Sequence, residues 1–321
     1  MKVIDQVITD KYAIYNADCV EFAKTLPDNS VDFSIFSPPF SSLYTYSNSD
    51  RDMGNSGSDA EFWSHYKFLI AEQFRIHSPG RNIAIHCMNL PTSKQNDGFI
   101  GIKDFRGDII RAYQEAGFIY HSEVCIWKDP VVAMQRTKAL GLLHKTVKKD
   151  SAMSRQGIPD YLVVMRKPGE NEKPVSGEFT YYVGDNPPQG FKGIQRDDGR
   201  FYFIPGASGT SIDVWQNYAS PIWDDINQTD TLNFREGRHS DDERHICPLQ
   251  LDVIERSLQL WSKPDDVVYT PFLGIGSEAY VSVRMGRFAI GTELKPSYFQ
   301  LATRNMTMAE KVNYDLFDAV S

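Results

Sequence analysis

The sequence predicts an α/β fold in which helices cover a layered β-sheet. In the first third of the chain and again at 251–308, short apolar runs typical of strands alternate with segments whose apolar residues recur at helical spacing. Regular alternation of this kind is typical of layered α/β sheets. Between about 168 and 240 the chain is rich in Gly, Pro, Asn and Asp and has no long helical period. We therefore predict one sheet interrupted by an irregular, partly β insert.

The first third supplies four predicted strands and three predicted helices. A Pro-Asp-Asn-Ser turn at 27–30 separates the first helix from the second strand, and Gly117 closes the third helix. The predicted strands span 12–15, 31–36, 82–86 and 123–127, and the predicted helices span 20–26, 63–76 and 108–116.

The regular alternation returns in the last quarter of the chain. Leu251, Ile254, Leu258 and Trp261 recur at helical spacing, and Pro264 follows them as a helix breaker. The remaining predicted elements are strands at 267–269 and 288–291 and helices at 278–285 and 297–308.

Composition narrows the classes of function. Of 321 residues, 41% are hydrophobic and 24% are charged, as in ordinary globular proteins. No stretch approaches the roughly 18 consecutive apolar residues of a membrane span, and no signal-peptide pattern opens the chain, so we expect a cytoplasmic protein without a membrane partner. Four scattered cysteines without a C-x-x-C pair favour reduced thiols and predict no disulfide or metal framework: Cys19, Cys87, Cys125 and Cys247.

The chain is acidic overall but contains one basic strip. The formal net charge of −8 argues against indiscriminate coating of polyanions. Residues 128–167 nevertheless hold nine basic groups against three acidic ones, a local charge of +6. A phosphate-binding surface and a solvated lysine-rich loop fit this charge equally well. The nine basic groups are Lys128, Arg136, Lys138, Lys145, Lys148, Lys149, Arg155, Arg166 and Lys167.

The segment Thr-Pro-Phe-Leu-Gly-Ile-Gly-Ser at 270–277 lies between a predicted strand and a predicted helix. Gly274 and Gly276 allow the backbone to turn tightly and to approach a ligand without an intervening side chain. The next predicted strand ends at Glu293, where a carboxylate is placed to accept hydrogen bonds from a ribose diol. Ala279 breaks the G-x-G-x-x-G pattern, which disfavours a dinucleotide. This order of elements predicts a nucleoside-cofactor site.

The segment Ser37-Pro38-Pro39-Phe40 ends a predicted buried strand with a rigid corner. Its two prolines lack backbone donors but keep their carbonyl acceptors. Ser37 adds a hydroxyl and Phe40 a flat apolar face at the carboxyl end of a strand, where open α/β sheets bind ligands. Two acceptors beside a stacking ring suit a planar ring with an exocyclic amino group. The alternative is a structural turn, which we predict for the second double proline at 187–188.

These two motifs together resemble the signature of S-adenosylmethionine-dependent DNA amino-methyltransferases. The segment at 37–40 resembles their catalytic [DNS]-P-P-[YFW] motif, and the segment at 272–276 resembles their F-x-G-x-G cofactor loop. The segment at 245–250 is similar to the motif that precedes this loop, and the segment at 16–19 is similar to the one whose acid meets the adenine amine of the cofactor. The resemblance implies S-adenosylmethionine as the cofactor, bound by Asp18, Pro248, Gln250, Phe272, Gly274, Gly276, Ser277 and Glu293.

The order of the motifs adds to the resemblance. The catalytic motif precedes the cofactor loop, which is the permuted order of the family's β group and favours DNA over RNA or protein as the substrate. The resemblance implies a doubly wound, mostly parallel, seven-stranded Rossmann-like methyltransferase sheet. It divides the chain into a catalytic half (1–167), a target-recognition insert (168–240) and a cofactor-binding half (241–321).

The resemblance also implies a mechanism. A base of double-stranded DNA is turned out of the stack, Phe40 stacks on it, and Ser37 and the Pro38 carbonyl accept its amino hydrogens beside Pro39. The amine attacks the methyl group directly, so no cysteine nucleophile is required. Serine at the first motif position favours N4-cytosine slightly, and N6-adenine remains open because both bases present the same amidine edge.

Side chains outside the two motifs complete the expectations. DNA contacts are predicted for Tyr44, Arg51, Arg136, Lys138, Lys145, Lys148, Lys149 and Arg155. His86 is interpreted as a core or strand-end residue, and no Ser/His/Asp set is expected. A homodimer is expected, and the sequence identifies no cognate endonuclease. The alternatives are a catalytically silent DNA-binding regulator with the same fold and an RNA methyltransferase.

Overall fold

The protein is described by a computed structural model that covers residues 3–40, 52–56, 58–95, 97–131, 144–153, 155–175, 193–195, 201–203, 215, 217–233 and 248–318. The strands within these ranges are β1 (Asp5–Ile8), β2 (Tyr12–Asn16), β3 (Phe33–Phe36), β4 (Asn82–Met88), β5 (Leu90–Thr92), β6 (Gly101–Lys103), β7 (Ile119–Ile126), β8 (Asp160–Arg166), β9 (Gly193–Gln195), β10 (Phe201–Phe203), β11 (Ile222–Trp223), β12 (Val267–Thr270) and β13 (Phe288–Glu293). The helices are α1 (Cys19–Ala23), α2 (Asp59–Ile76), α3 (Phe105–Glu115), α4 (His144–Val147), α5 (Leu251–Trp261), α6 (Ser277–Arg284) and α7 (Pro296–Asp318).

One large sheet organises the described residues, in the strand order β1-β2-β13-β12-β3-β4-β8-β7-β11. The five consecutive strands β2, β13, β12, β3 and β4 are parallel to one another. Strand β8 is antiparallel to both β4 and β7. The predicted mostly parallel α/β sheet is therefore confirmed. The expected seven strands form its centre, and β1 and the two-residue β11 extend its two edges.

The two ends of the chain interleave in this sheet. Strands β12 and β13, from the last quarter of the chain, lie between β2 and β3, from the first 40 residues. The registers Tyr269↔Ser34 and Glu293↔Asn16 fix this insertion. Because all four strands are parallel, their carboxyl ends meet at one rim of the sheet.

Helices cover both faces of the sheet. On one face, Phe33 and Ile35 of β3 pack with the apolar side of α5, and on the other face Phe36 packs with α2 and α3. Side chains of a strand alternate between faces, which is why one short strand contributes to both cores. The helix predicted at 251–261 has the observed bounds of α5. Helix α2 begins four residues before its prediction, because Ser58 accepts the Glu61 N–H and caps a polar first turn.

Part of the predicted insert packs against the main sheet. Strand β11 pairs with β7, and the Trp223 side chain is fully buried beside α5. The Arg256 guanidinium of α5 donates to both carboxylate oxygens of Asp225 at 2.8 Å and lies over the rings of Tyr218 and Trp223. The division of the chain at 168 and 240 stays a prediction, and residues 217–233 contribute to the core.

Two expectations from composition can be compared with the described part of the chain. None of its helices is both long and apolar enough to cross a membrane. Cys19, Cys87 and Cys125 are free thiols there, and no three His, Cys, Asp or Glu side chains among those residues are arranged to hold a metal ion. Cys247 lies outside the described ranges.

Candidate active site

The two predicted motifs lie side by side at the rim formed by the parallel strands. The segment at 37–40 leaves the carboxyl end of β3, and the glycine loop leaves the carboxyl end of the adjacent β12. The ring of Phe36, the last residue of β3, and the ring of Phe272 in the glycine loop have centroids 5.9 Å apart. Phe40 and Phe272 pack against the same hydrophobic cluster. The structure thus brings together residues more than 230 positions apart in the chain.

Phe40 is held by an aromatic neighbour and remains partly exposed. Its ring meets Phe105 edge to face, with the centroids 6.1 Å apart and the planes at 82°. Pro38 is buried, whereas Ser37 and Pro39 are half-buried. The partly exposed Phe40 ring offers apolar surface of the kind on which a flat ligand stacks.

The glycine loop has the backbone that its sequence predicts. Gly274 has φ +55° and Gly276 has φ +93°, which are conformations that residues with a side chain rarely adopt. A Cβ on Gly276 would lie 3.3 Å from the Ala302 Cβ, so this glycine permits the close packing of α6 on α7. A Cβ on Gly274 would meet no atom within 4 Å among the residues that the structure describes. The backbone at Gly274 therefore borders open space.

Glu293 anchors the loop through its carboxylate. Glu293 Oε2 accepts the Gly274 N–H and Oε1 accepts the Lys295 N–H, both at 2.8 Å. Burial raises the pKa of Glu293 to about 7, although the two backbone donors and the Lys295 charge oppose this rise and the Asp52 charge adds to it. The position predicted to bind a ribose is thus a half-buried glutamate whose carboxylate already orders the glycine loop.

Asp18 lies at the neighbouring strand end. It caps α1, since its Oδ1 accepts the Glu21 N–H at 2.9 Å. The preceding backbone is tied to Glu293: the Ala17 N–H and the Asn16 side-chain amide both donate to the Glu293 carbonyl. The two predicted acidic cofactor ligands therefore lie at the ends of adjacent strands, β2 and β13.

Two buried hydroxyls flank the glycine loop without a hydrogen-bond partner. Thr270 Oγ1 ends β12 and Ser277 Oγ begins α6, and both are fully enclosed by protein. Buried polar groups are normally paired, so unpaired ones beside an open loop fit a site for a polar ligand. Gln250 is buried at the N-cap of α5 without a side-chain cap bond, and Pro248 is half-buried two residues earlier.

The interpretation of His86 as a core residue is confirmed, and the structure adds polar contacts that the sequence did not predict. His86 lies in β4 and is buried, as expected for a core residue, but its Nδ1 is 2.8 Å from Ser37 Oγ and its Nε2 is 2.8 Å from Asp160 Oδ2. Lys128 forms an ion pair with the same Asp160 oxygen. The expectation that the chain contains no Ser/His/Asp set was wrong, because the four residues come from four separate segments of sequence. One feature of the sequence could have indicated this contact. His86 is a polar residue in the largely apolar strand β4, which is the next strand after the one that leads to Ser37.

Four of the eight predicted DNA contacts lie within the described residues and four lie outside them. Lys145, Lys148 and Lys149 are exposed on and just after α4, and Arg155 is half-buried, with burial lowering its pKa. Three other groups of the basic strip make internal contacts: Lys128 with Asp160, Arg166 with the Gly169 carbonyl and Lys167 with the His77 carbonyl. The remaining candidates lie outside the described residues: Tyr44, Arg51, Arg136 and Lys138.

The family follows from comparison with known proteins. A sequence profile of N6/N4 type, described as DNA methylase, matches residues 31–304. The chain belongs to the N6/N4 DNA methylase family. This span contains both motifs in the observed order, and family membership confirms the resemblance inferred from them. It also assigns S-adenosylmethionine as the cofactor.

Individual relatives agree with the family. The chain is 23% identical over 296 residues to the type II methyltransferase M.BglII of Bacillus subtilis, an alignment that covers 90% of this chain and 67% of that protein. It is 26% identical over 290 residues to the type II methyltransferase M.BamHI of Bacillus amyloliquefaciens, covering 89% and 55%. The chain therefore spans about two thirds and about half of these relatives.

Solved structures share the fold. The PvuII DNA methyltransferase, which is cytosine-N4-specific, superposes with a TM-score of 0.62 at 15% identity, covering 95% of this chain and 90% of that one. TTHA0409 of Thermus thermophilus in complex with S-adenosyl-L-methionine superposes with a TM-score of 0.60 at 21% identity, covering 93% and 95%. At these identities the likeness establishes the methyltransferase fold alone.

Proposed function

We propose that the chain transfers a methyl group from S-adenosylmethionine to the exocyclic amine of a base turned out of double-stranded DNA. The observation that carries this proposal is the adjacency of the two motifs: Ser37 and Phe40 leave β3 beside the strand that leads to Gly274. A donor methyl group and an acceptor amine need such adjacency, because positioning supplies most of the rate in a direct displacement.

We assign the cofactor to the open space beside Gly274. The loop backbone approaches it without a side chain, Asp18 and Glu293 offer carboxylates at neighbouring strand ends, and Ser277 Oγ and Thr270 Oγ1 offer unpaired hydroxyls. Phe272 contributes an apolar wall packed on Phe36. When bound, S-adenosylmethionine supplies an electrophilic methyl group on a sulfonium.

We assign the target base to the face of Phe40. The Phe105 contact fixes the orientation of the Phe40 ring. Ser37 Oγ and the Pro38 carbonyl then accept the two amino hydrogens, which directs the nitrogen lone pair toward the methyl group. The amine would attack the methyl carbon while the bond between that carbon and the sulfonium sulfur breaks, so that S-adenosylhomocysteine leaves and the methylated nitrogen gives up one proton to water. No covalent enzyme intermediate is needed, consistent with a motif that contains no cysteine.

The exposed lysines after β7 are proposed to contact DNA phosphates. Lys145, Lys148 and Lys149 are exposed within the basic strip of an otherwise acidic chain. Phosphate contacts fix the position of a protein on the duplex without reading its sequence. The identity of the base is a finer proposal: Ser37 favours N4-cytosine, with N6-adenine as the alternative product. Assembly as a homodimer, suggested by related permuted enzymes, is also a proposal.

The decisive test is transfer of radiolabelled methyl groups into DNA. Wild type is compared with Phe40→Ala and Ser37→Ala, and Phe68→Ala serves as the matched control because Phe68 is 64% exposed on the outer side of α2. Loss of base stacking of about 1–3 kcal/mol predicts a fall in kcat/KM of roughly 5- to 150-fold for Phe40→Ala and no change for the control.

The outcomes separate the alternatives. Mass spectrometry of digested DNA distinguishes N4-methylcytosine from N6-methyladenine. Binding of DNA without incorporation of label into any DNA sequence would favour a silent regulator, and label entering RNA in preference to DNA would favour an RNA methyltransferase. Light scattering with and without DNA tests the homodimer, which a monomeric mass in both conditions would contradict.

A further inference from the structure

A continuous hydrogen-bonded chain leads from the catalytic motif into the core. It runs from Ser37 Oγ to His86 Nδ1, from His86 Nε2 to Asp160 Oδ2, and from Asp160 to the Lys128 ammonium. His86 and Asp160 are buried, and the Lys128 side chain is 16% exposed. Only the Ser37 end is part of the motif that meets the target amine.

The charges in this chain fix the direction of its hydrogen bonds. Burial alone would raise the pKa of Asp160, but the Lys128 charge and the contacts with His86 lower it to about 2, so the carboxylate is ionised and only accepts. His86 Nε2 must therefore carry a proton and donate it to Asp160. When the imidazole is neutral, as the proposal below requires, Nδ1 is a bare acceptor and the Ser37 hydroxyl donates to it across 2.8 Å.

This arrangement differs from that of a serine nucleophile. In a nucleophilic serine site, the backbone N–H of the residue after the serine helps to bind the oxyanion. Here the two residues after Ser37 are Pro38 and Pro39, which have no N–H to offer. The hydroxyl has an acceptor for its proton at His86, but neither of the two residues after Ser37 can donate a backbone N–H to an oxyanion, so its useful feature is its pair of lone pairs.

We propose that His86 is a positioning residue that makes Ser37 an obligatory hydrogen-bond acceptor toward the target amine. His86 accepts a hydrogen bond from the only O–H of Ser37, which leaves the lone pairs of the Ser37 oxygen directed toward the base. Asp160, held by Lys128, keeps the imidazole in the required tautomer. This inference rests on the proposed function, since it deepens the role of Ser37 in amine methylation. Without His86, the Ser37 hydroxyl can rotate and direct its proton toward the amine. The amine cannot accept that hydrogen bond and react at the same time, because its single lone pair is needed for attack on the methyl group.

The test is a double-mutant cycle on DNA methylation. His86→Phe keeps a ring of similar size but removes both nitrogens, and it is made in wild type and in Ser37→Ala. We expect His86→Phe to lower kcat by about tenfold with little change in the KM for S-adenosylmethionine. In the Ser37→Ala background it should lower kcat no further, because His86 acts through Ser37. His86→Asn, whose amide oxygen can reach the Ser37 hydroxyl, should recover part of the rate.

Three results decide the outcome. Equal losses from His86→Phe with and without Ser37 would overturn the proposal, since His86 would then only support the fold. Nitrogen NMR of wild type provides a measurement that does not depend on the folding of a variant: a His86 ring protonated at Nε2 supports the proposal, and one protonated at Nδ1 overturns it. A wild-type protein that methylates no DNA refutes the proposed function instead, while the NMR result still reports on the hydrogen-bonded chain.

Discussion

Replacing Gly274 with alanine tests whether the open space beside the glycine loop holds the cofactor. The added Cβ meets no atom of the described residues within 4 Å, so the substitution creates no clash with that part of the protein. Its cost to folding is the left-handed backbone at φ +55°, about 1–2 kcal/mol for a residue with a side chain. The backbone cost lowers the free energy of unfolding. A loss of cofactor affinity that a variant with the same backbone cost does not show must come from contact between the new methyl group and the ligand.

The chain offers a matched control at Gly98. This glycine, in the β5–β6 hairpin, has φ +81°, and a Cβ added to it would also meet no atom of the described residues within 4 Å. Gly98→Ala therefore has a similar backbone cost in a segment separate from the glycine loop. Both variants should lose similar thermal stability. Overpacking of about 1–3 kcal/mol predicts that Gly274→Ala binds S-adenosylmethionine roughly 5- to 150-fold more weakly by calorimetry, whereas Gly98→Ala binds it as wild type does. Equal cofactor affinity in the two variants would refute the assignment.

Three further predictions concern stability and DNA binding. Burial raises the pKa of Glu278 to about 8 from an ordinary value of 4.5. Its contribution to the free energy of unfolding is therefore complete below about pH 4.5 and is lost as the pH rises through 8. Glu278→Gln should make the urea midpoint fall less steeply with pH, and an unchanged dependence of the midpoint on pH would contradict the prediction. Arg256→Met should cost about 3–5 kcal/mol in the free energy of unfolding because it leaves Asp225 buried without its main cation, and a second change, Asp225→Leu, should recover much of this loss. Lys148→Gln should reduce the slope of log K for DNA against log salt by about 1, whereas Lys67→Gln on α2 should not change it; equal slopes would exclude Lys148 from the phosphate contacts.

The sequence predicts those parts of the fold that local patterns encode. Helix α5 was predicted at its observed bounds because Leu251, Ile254 and Leu258 face one core and Pro264 follows its last turn. The edge strand β11 was not predicted, because two residues carry no periodicity. It forms because the backbone of Trp223 pairs with Ile126 while its side chain fills the core beside α5.

The site shows the same division between local and long-range information. The segment at 37–40 and the glycine loop were predicted because each is a contiguous run whose chemistry can be read locally. The partners of Ser37 were not predicted, because no local pattern links residues 86, 128 and 160. They meet because β8 runs antiparallel to its neighbours, so that Asp160, at its start, pairs with Met88 of β4 and Ile126 of β7.

The interleaving of the strands explains why the order of the motifs in the chain does not limit the chemistry. The carboxyl ends of parallel strands lie at one rim of the sheet in whatever order the strands occur along the chain. The proposed site therefore requires that β12 lie beside β3 in space, and it does not require that the cofactor loop precede the catalytic motif in sequence. The same insertion makes the two halves depend on each other. Without β12 and β13, the strands β2 and β3 would each expose an unpaired edge in the middle of the sheet. The segments predicted as the catalytic and cofactor-binding halves therefore form one sheet, and the proposed active site lies where these two segments meet.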